Sequence, residues 1–267
     1  MRSRELIPCE QLRPFVRLIW VLELDEPADF GPPERISPDG LLELVFHYST
    51  PLACRYDGEG FERQPRSVAV SQTRRFLEIR PDGASGLVSV RFHPWGAYHF
   101  FGLPVSELAD RQTRTEVLWG RAALELEEQL AGAFGDRERV GLVEQFLLTQ
   151  LRRHHKADVE PLIRAIWNRK GRVAVSQLCR DLGIGERRLQ RTFATALGTT
   201  PKRFARLARF LHACSLLRSG HLSTLTEVGL ACGYYDQSHF IAEFKAFSGM
   251  TPQQFLETAN LSFLELD

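Results

Sequence analysis

Arg187, Gln190 and Arg191 stand at i, i+3 and i+4 in the last third of a 267-residue chain. On a helix this spacing puts them on one side, while Leu189 and Phe193, also four apart, take the other. An arginine fork matches the O6/N7 edge of guanine, and a glutamine amide matches N6/N7 of adenine, both bidentately. The chemistry on offer is the reading of base edges. The helix that would carry it runs from about Glu186 to Leu197, behind Gly185.

That helix belongs to a pattern that occurs twice within Ser176–Phe255. The first copy is marked by Leu178, Leu182, Gly183, Leu189, Phe193, Gly198, Thr200-Pro201 and Phe204. The second has Val228, Cys232, Gly233, Phe240, Phe244, Gly249, Thr251-Pro252 and Phe255. The offset is 50 residues up to Gly183/Gly233 and 51 from Leu189/Phe240, so the second turn holds one extra residue. A repeat of this length is one supersecondary unit used twice. The i,i+4 apolar pairs and the intervening glycine read as helix, turn, helix. Thr200-Pro201 and Thr251-Pro252 read as a hydroxyl cap before a first-turn proline. Thr224 with Glu227 reads as a capping box. Between the copies, Pro201–Arg218 is a helix with Phe204, Leu207, Leu211 and Cys214 buried.

These residues resemble the C-terminal DNA-binding domain of AraC/XylS-type transcriptional regulators. The resemblance is carried by Arg188 through Phe193, Gly198 through Pro201, Arg209 with Ala213, Leu216-Leu217 and Gly220. It continues in Gly233-Tyr234, Asp236 through Phe240, Phe244-Lys245, Gly249 and Thr251-Pro252. It covers about 95 residues. It implies two helix-turn-helix units joined by one long helix, each offering a recognition helix to the major groove on one DNA face. By the same resemblance the base-contacting positions are Arg187, Gln190 and Arg191 in the first unit. In the second they are Gln237, Ser238 and His239, with Ile241 and Ala242 beside them. Arg188, Lys202, Arg203, Arg206 and Lys245 are expected at phosphates. Arg209 can instead brace the two units. Two departures are Gly185, where the family places a serine cap, and Ala242, where it commonly has a basic residue. The implied partners are double-stranded DNA, RNA polymerase, a small-molecule effector and a second copy of the chain.

Charge follows the same map. Residues 1–159 carry 20 basic and 24 acidic side chains. Residues 164–218 carry 13 basic and 2 acidic, net +11, and residues 219–267 carry 1 and 6, net −5. The basic block coincides with the first unit and the helix after it, the electrostatic footprint of a phosphate-facing surface. Apolar residues make up 43% and charged ones 25%, ordinary for a globular protein. There is neither a run long enough for a membrane helix nor an apolar export signal, so a cytoplasmic protein with no membrane partner is expected. Five scattered cysteines without a CxxC pair read as reduced thiols, three of them (Cys179, Cys214, Cys232) on apolar helix faces.

The first 100 residues read as short strands in a barrel or sandwich, with Pro38-Asp39-Gly40 as a turn. Along Leu41–Tyr48, Leu42, Leu44, Phe46 and Tyr48 share one face; Leu41, Glu43, Val45 and His47 share the other. Val88, Val90 and Phe92 likewise oppose Ser89, Arg91 and His93. Glu43, Arg91 and His93 are the candidate ligand site, a small polar or anionic ligand being expected at Arg91. Glu43 and Arg91 can equally form one structural ion pair. No metal or cofactor is expected: His47, His93, His99 and the His154-His155 pair lack ligand spacing, and no catalytic signature appears. Gly120–Leu130 and Arg137–Arg153 read as a helical hairpin. Leu12 through Val16, Trp20, Pro38 through Gly40, Glu43 through Phe46 and Arg91 through Gly96 resemble the N-terminal domain of a poorly characterised subset of AraC-like regulators. That likeness implies a sensory or dimerising role and brings no ligand with it.

The reading is thus an α+β chain: a sensory/dimerisation domain over 1–156, a β-rich barrel or sandwich with a helical hairpin, then an all-α DNA-binding domain over 157–267. Its function is expected to be sequence-specific transcriptional regulation, as an activator and not an enzyme. The alternatives are an interaction module with residual DNA binding and a barrel enzyme with a DNA-binding appendage. Limited proteolysis is expected to cut first near residues 153–160 and leave two folded fragments; a first cut inside 164–255 would refute the boundary.

Overall fold

The computed structural model describes residues 2–25, 32–36, 40–56, 59–71, 76–109, 111–152, 160–181, 183–220, 222 and 224–257. The expected boundary at 156/157, the His154-His155 pair and the Pro38-Asp39 turn lie outside these residues.

The N-terminal half is built on two runs too apolar to face water on either side. These are β2 (Val16–Leu24) and β9 (Ser85–Phe92), paired antiparallel. They form the middle of a six-stranded sheet with β1 (Arg2–Leu6), β4 (Glu43–His47), β7 (Ser67–Val70) and β10 (Gln112–Arg114), in the order β1-β2-β9-β4-β7-β10. A second sheet has the order β3-β8-β5-β6, from Glu34–Ile36, Leu77–Arg80, Ala53–Tyr56 and Glu62–Arg63. Strand alternation divides the core as the sequence requires. Trp20, Leu22, Val45, Val68 and Leu87 pack between the sheets with Leu77 and Ile79. Ile19, Val21, Leu44, Phe46, Val88, Val90 and Phe92 pack on the other face against helices. The two sheets make an open sandwich, not a closed barrel.

Those helices are α2 (Arg121–Gly132) and α3 (Asp136–Gln150), the expected hairpin, preceded by a single turn α1 (Thr115–Trp119). Leu126, Leu130, Val140, Val143 and Leu147 bury their stripe on the sheet. The hairpin therefore covers its own domain.

The C-terminal half is all helix: α4 (Glu160–Asn168), α5 (Val175–Asp181), α6 (Glu186–Leu197), α7 (Pro201–Ser219), α8 (Leu225–Ala231), α9 (Gln237–Ser248) and α10 (Pro252–Glu257). Helix α7 starts as the sequence says it should. Thr200 Oγ1 accepts from the Arg203 N–H at 3.2 Å, and Pro201 opens the first turn. The capping box of α8 is complete between Thr224 and Glu227. Phe204 joins the core of the first unit, with Ile163, Leu178, Leu189 and Phe193. Phe210, Cys214 and Leu217 join that of the second, with Val228, Phe240 and Phe244. One long helix thus serves two cores. Gly171 lies in the left-handed region, and a side-chain carbon there would run into the Ala205 carbonyl of α7. Only glycine lets the end of α4 approach α7 this closely.

One buried group gives the sandwich a pH dependence. His47 is 1% exposed, and its Nδ1 lies 3.1 Å from the Pro65 carbonyl, to which the neutral ring donates. Burial pushes its pKa down to about 4, against the raising effect of the Arg66 and Pro65 carbonyls. The unfolded chain takes up the proton first, so this stability is whole above the ordinary pKa of 6.5 and drains away as pH falls towards 4. The loss by pH 4 is expected to reach about 3 kcal/mol. His47→Gln keeps a donor and should flatten that part of the pH–stability curve; an unchanged slope in denaturant titrations would show that His47 is not its source.

Candidate nucleic-acid interface

Helix α6 buries Leu189, Phe193, Ala196 and Leu197 and leaves Arg187, Gln190 and Arg191 exposed on the opposite side. Gly185, at its N-cap, is extended and supplies no side-chain acceptor. The first-turn N–H groups are therefore left without a side-chain cap beside Arg187, and helix N-termini of this kind attract phosphate oxygens. Arg188 and Lys202 are exposed and Arg203 is half-buried, with its guanidinium 5.7 Å from the Phe247 ring.

Helix α9 is the matching element of the second unit. Asp236 Oδ1 accepts the His239 N–H at 2.7 Å and caps it. Phe240, Phe244 and Phe247 are buried, while Gln237, Ser238, His239, Ala242 and Lys245 are exposed. Gln237 Oε1 accepts from Thr226 Oγ1 at 2.9 Å, which holds the amide against α8. The first unit offers two guanidiniums and an amide; the second offers an amide, a hydroxyl and an imidazole.

Between the units lies a cleft of about 830 Å³, lined by Ser176, Lys202, Arg206, Arg209, His239 and Glu243 among others. Its floor holds a carboxylate that the sequence did not single out. The Glu243 side chain is 4% exposed and bound at each oxygen by α7: Arg206 Nε donates at 2.6 Å and Arg209 Nη2 at 3.1 Å. Arg206, expected at a phosphate, is thus carboxylate-bound, and Arg209 is the brace that the sequence allowed it to be. The signal was weak because the partners are 37 and 34 residues apart.

The candidate ligand residues separate into two places. Glu43 and Arg91 face each other across β4 and β9, 3.5 Å apart, and Glu43 also accepts from Trp20 Nε1 and Ser89 Oγ, each at 2.6 Å. The structural ion pair is the arrangement present. His93 instead turns towards the helical domain, where its ring stacks on Trp95 at 4.9 Å. Burial, then the charges of Arg164 and Arg17, hold its pKa below the ordinary value.

Trp95 itself is an anchor that the sequence showed only as part of the Arg91–Gly96 stretch of the N-terminal resemblance. It is 6% exposed and belongs to the core of the first helix-turn-helix unit, with Ile163, Leu189 and Phe193. Arg164 lies 3.8 Å over its ring, and its Nε1 donates to the Pro14 carbonyl at 3.1 Å. Nearby, Gly198 at the end of α6 approaches Val105 and Ser106. The sandwich therefore docks at the C-terminal end of α6 and leaves Arg187, Gln190 and Arg191 exposed at the other.

A duplicated helix-turn-helix domain behind a sheet sandwich is the class this architecture defines. Residues 178–258 match a family described as "Helix-turn-helix domain", and residues 4–114 match a "Domain of unknown function (DUF6597)". The HTH-type transcriptional activator RhaR of Salmonella schwarzengrund is 31% identical over 105 residues, covering 39% of this chain and 37% of the relative. The RhaR of Salmonella arizonae is 32% identical over 89 residues, 33% and 31% of the two chains. The similarity thus spans about a third of these relatives' length. ToxT from Vibrio cholerae shares the fold over 90% of this chain and 97% of its own, with a TM-score of 0.50 at 11% identity. The C-terminal domain is therefore similar to the helix-turn-helix domain of these activators, in line with its resemblance to AraC/XylS-type regulators.

Trp95→Ala should cost about 3–5 kcal/mol, the range for emptying a buried aromatic site. The cost is expected at the domain junction, as faster amide exchange in 97–108 and 193–198 while the sandwich core keeps its protection. Exchange unchanged in both segments would show that Trp95 does not hold the domains together.

Proposed function

We propose that the chain is a sequence-specific transcriptional activator whose helices α6 and α9 enter successive major grooves on one DNA face. The observation that carries this is the set Arg187, Gln190 and Arg191, exposed together at the uncapped end of α6 within a block of net +11. Phosphate contacts dominate affinity, so most of it should come from the first unit, through Arg188, Lys202 and Arg203, with Lys245 as the contribution of α9. The names of the RhaR relatives support the sign of regulation. RNA polymerase and a second copy of the chain are the further partners this reading expects, in the cytoplasm.

The sandwich is the sensor in this reading. An effector entering between the sheets would compete with Glu43 for Arg91, which suits an anionic group. Arg91→Ala, in a variant that still folds, should abolish the response to such an effector.

The test of the DNA reading is the affinity of alanine variants on an operator selected from random duplex, at two salt concentrations. Arg187→Ala or Arg191→Ala should cost about 1–3 kcal/mol and relax specificity in one segment of the operator. Gln237→Ala or His239→Ala should cost less, about 1 kcal/mol or below, since neutral pairs contribute less. The operator should show one strongly specified segment and one degenerate segment about 10 base pairs away. Equal losses from both helices would refute the asymmetry; no selected duplex at all would refute the function.

A further inference from the structure

We propose that Glu243 is a positioning residue that sets the separation and tilt of the two recognition helices, so that the domain accepts one spacing between its two DNA segments. The inference rests on the DNA-binding reading above.

Helix α7 is already joined to the first unit. Phe204 packs on Phe193 and Trp167, with ring centroids 6.0 Å apart in each case. The second unit meets α7 through Phe210 against Phe244 and Phe247, at 5.0 and 5.2 Å. Apolar ring contacts favour burial but are weakly directional, and an α9 held by them alone can roll or slide along α7. The carboxylate removes that freedom. Its two oxygens are taken by two different guanidiniums, from residues three apart on α7, at 2.6 and 3.1 Å. A slide of α9 by a full helical turn, about 5.4 Å, would break both contacts.

The surroundings limit what else can hold Glu243. His239, one turn earlier on α9, has Nε2 4.0 Å from Glu243 Oε2. The Arg209 guanidinium also lies over the Tyr234 ring at 4.8 Å, which ties the same group to the turn before α9. Burial and the Glu243 charge both raise the Tyr234 pKa, so the phenol stays neutral beside the carboxylate. Two cations of the basic block are thus committed inward. Leaving the 4% exposed carboxylate unpaired in this cleft would cost more than an exposed pair is worth, which keeps the contact closed.

The experiment compares full-length wild type with Arg206→Gln and Glu243→Gln on the selected operator and on versions with one base pair added or removed between its segments. Folding is checked by circular dichroism. The wild type should lose about tenfold or more for either change, since each rotates one helix off its bases. Arg206→Gln should flatten this profile to within a few-fold while leaving the slope of log affinity against log salt nearly unchanged. Glu243→Gln should flatten it too and steepen the salt slope, because Arg206 is released towards phosphate. Arg206→Gln decides the matter whatever the fate of Glu243→Gln. A folded Arg206→Gln that keeps the steep spacing profile and loses about one unit of salt slope would make Arg206 a phosphate ligand and overturn the inference alone. A wild type that selects no duplex would overturn the DNA reading and this inference with it.

Discussion

The burial of α7 on several sides is the constraint on which the helical domain depends. Among its 19 residues, Phe204, Phe210 and Ala213 are 0% exposed, and Leu207, Leu211, Cys214 and Leu217 are nearly so. Burying each large side chain contributes about 1.5–3 kcal/mol, and no isolated unit could supply that cover. The first unit closes over one end of the helix and the second over the other. At 1.5 Å per residue α7 is about 28 Å long, close to the roughly 34 Å between successive major grooves on one DNA face. The helix that makes the two cores possible is therefore, on the proposed reading, also the spacer between α6 and α9. Gly171 belongs to the same constraint, because α4 reaches α7 only where a Cβ is missing.

Much of this was legible because it is local. Capping by Thr200 and the Thr224/Glu227 box involves residues three apart, and the i,i+4 apolar pairs announce their own burial. The absent cap at Gly185 was visible for the same reason. The strand faces along β4 and β9 were also readable, because alternation needs only a strand and two environments. What escaped is of two kinds. Strand β1, whose first four residues are exposed, carries Arg-Ser-Arg-Glu with no apolar alternation to betray it. Strands β6 and β10 are two and three residues long, too short to show a pattern, and β10 pairs with β7 far back in the chain. Trp95 and Glu243 escaped because their partners come from other elements. A tryptophan beside Pro94 and a lone glutamate between Ala242 and Phe244 carry no local signature of the distant groups that cover them.

Glu243 also changes how the charge map is read. Counting along the chain assigns Arg206 and Arg209 to the basic block and Glu243 to the acidic tail. In space the three form one cluster across the cleft. The field a phosphate meets is set by groups that remain near water, so an inward pair adds little to it, whichever half supplied its members. The contrast between the halves is therefore smaller at the surface than along the sequence. It survives because Arg187, Arg188, Arg191 and Lys202 are all exposed, whereas the acidic Asp236 is spent on capping α9.

The docking of the sandwich bears on how such a domain can be regulated. A sensor that covered Arg187, Gln190 or Arg191 would act by occlusion, and its effector would have to break a large contact to expose them. Here the contact runs through Trp95 and the Val105–Ser106 segment to the far end of α6 and to α4, and those three side chains stay exposed. Gly40 presses on Leu207 of α7, and Phe76 approaches Gly249 just past the end of α9. The sandwich thus touches the first unit, the long helix and the second unit at once. A body joined to three parts of a two-unit reader acts on their relative placement more directly than on access to either. On the proposed reading, a rearrangement between the sheets would reach α6 and α9 as a change in helix geometry, because the docked elements are close-packed and transmit displacement.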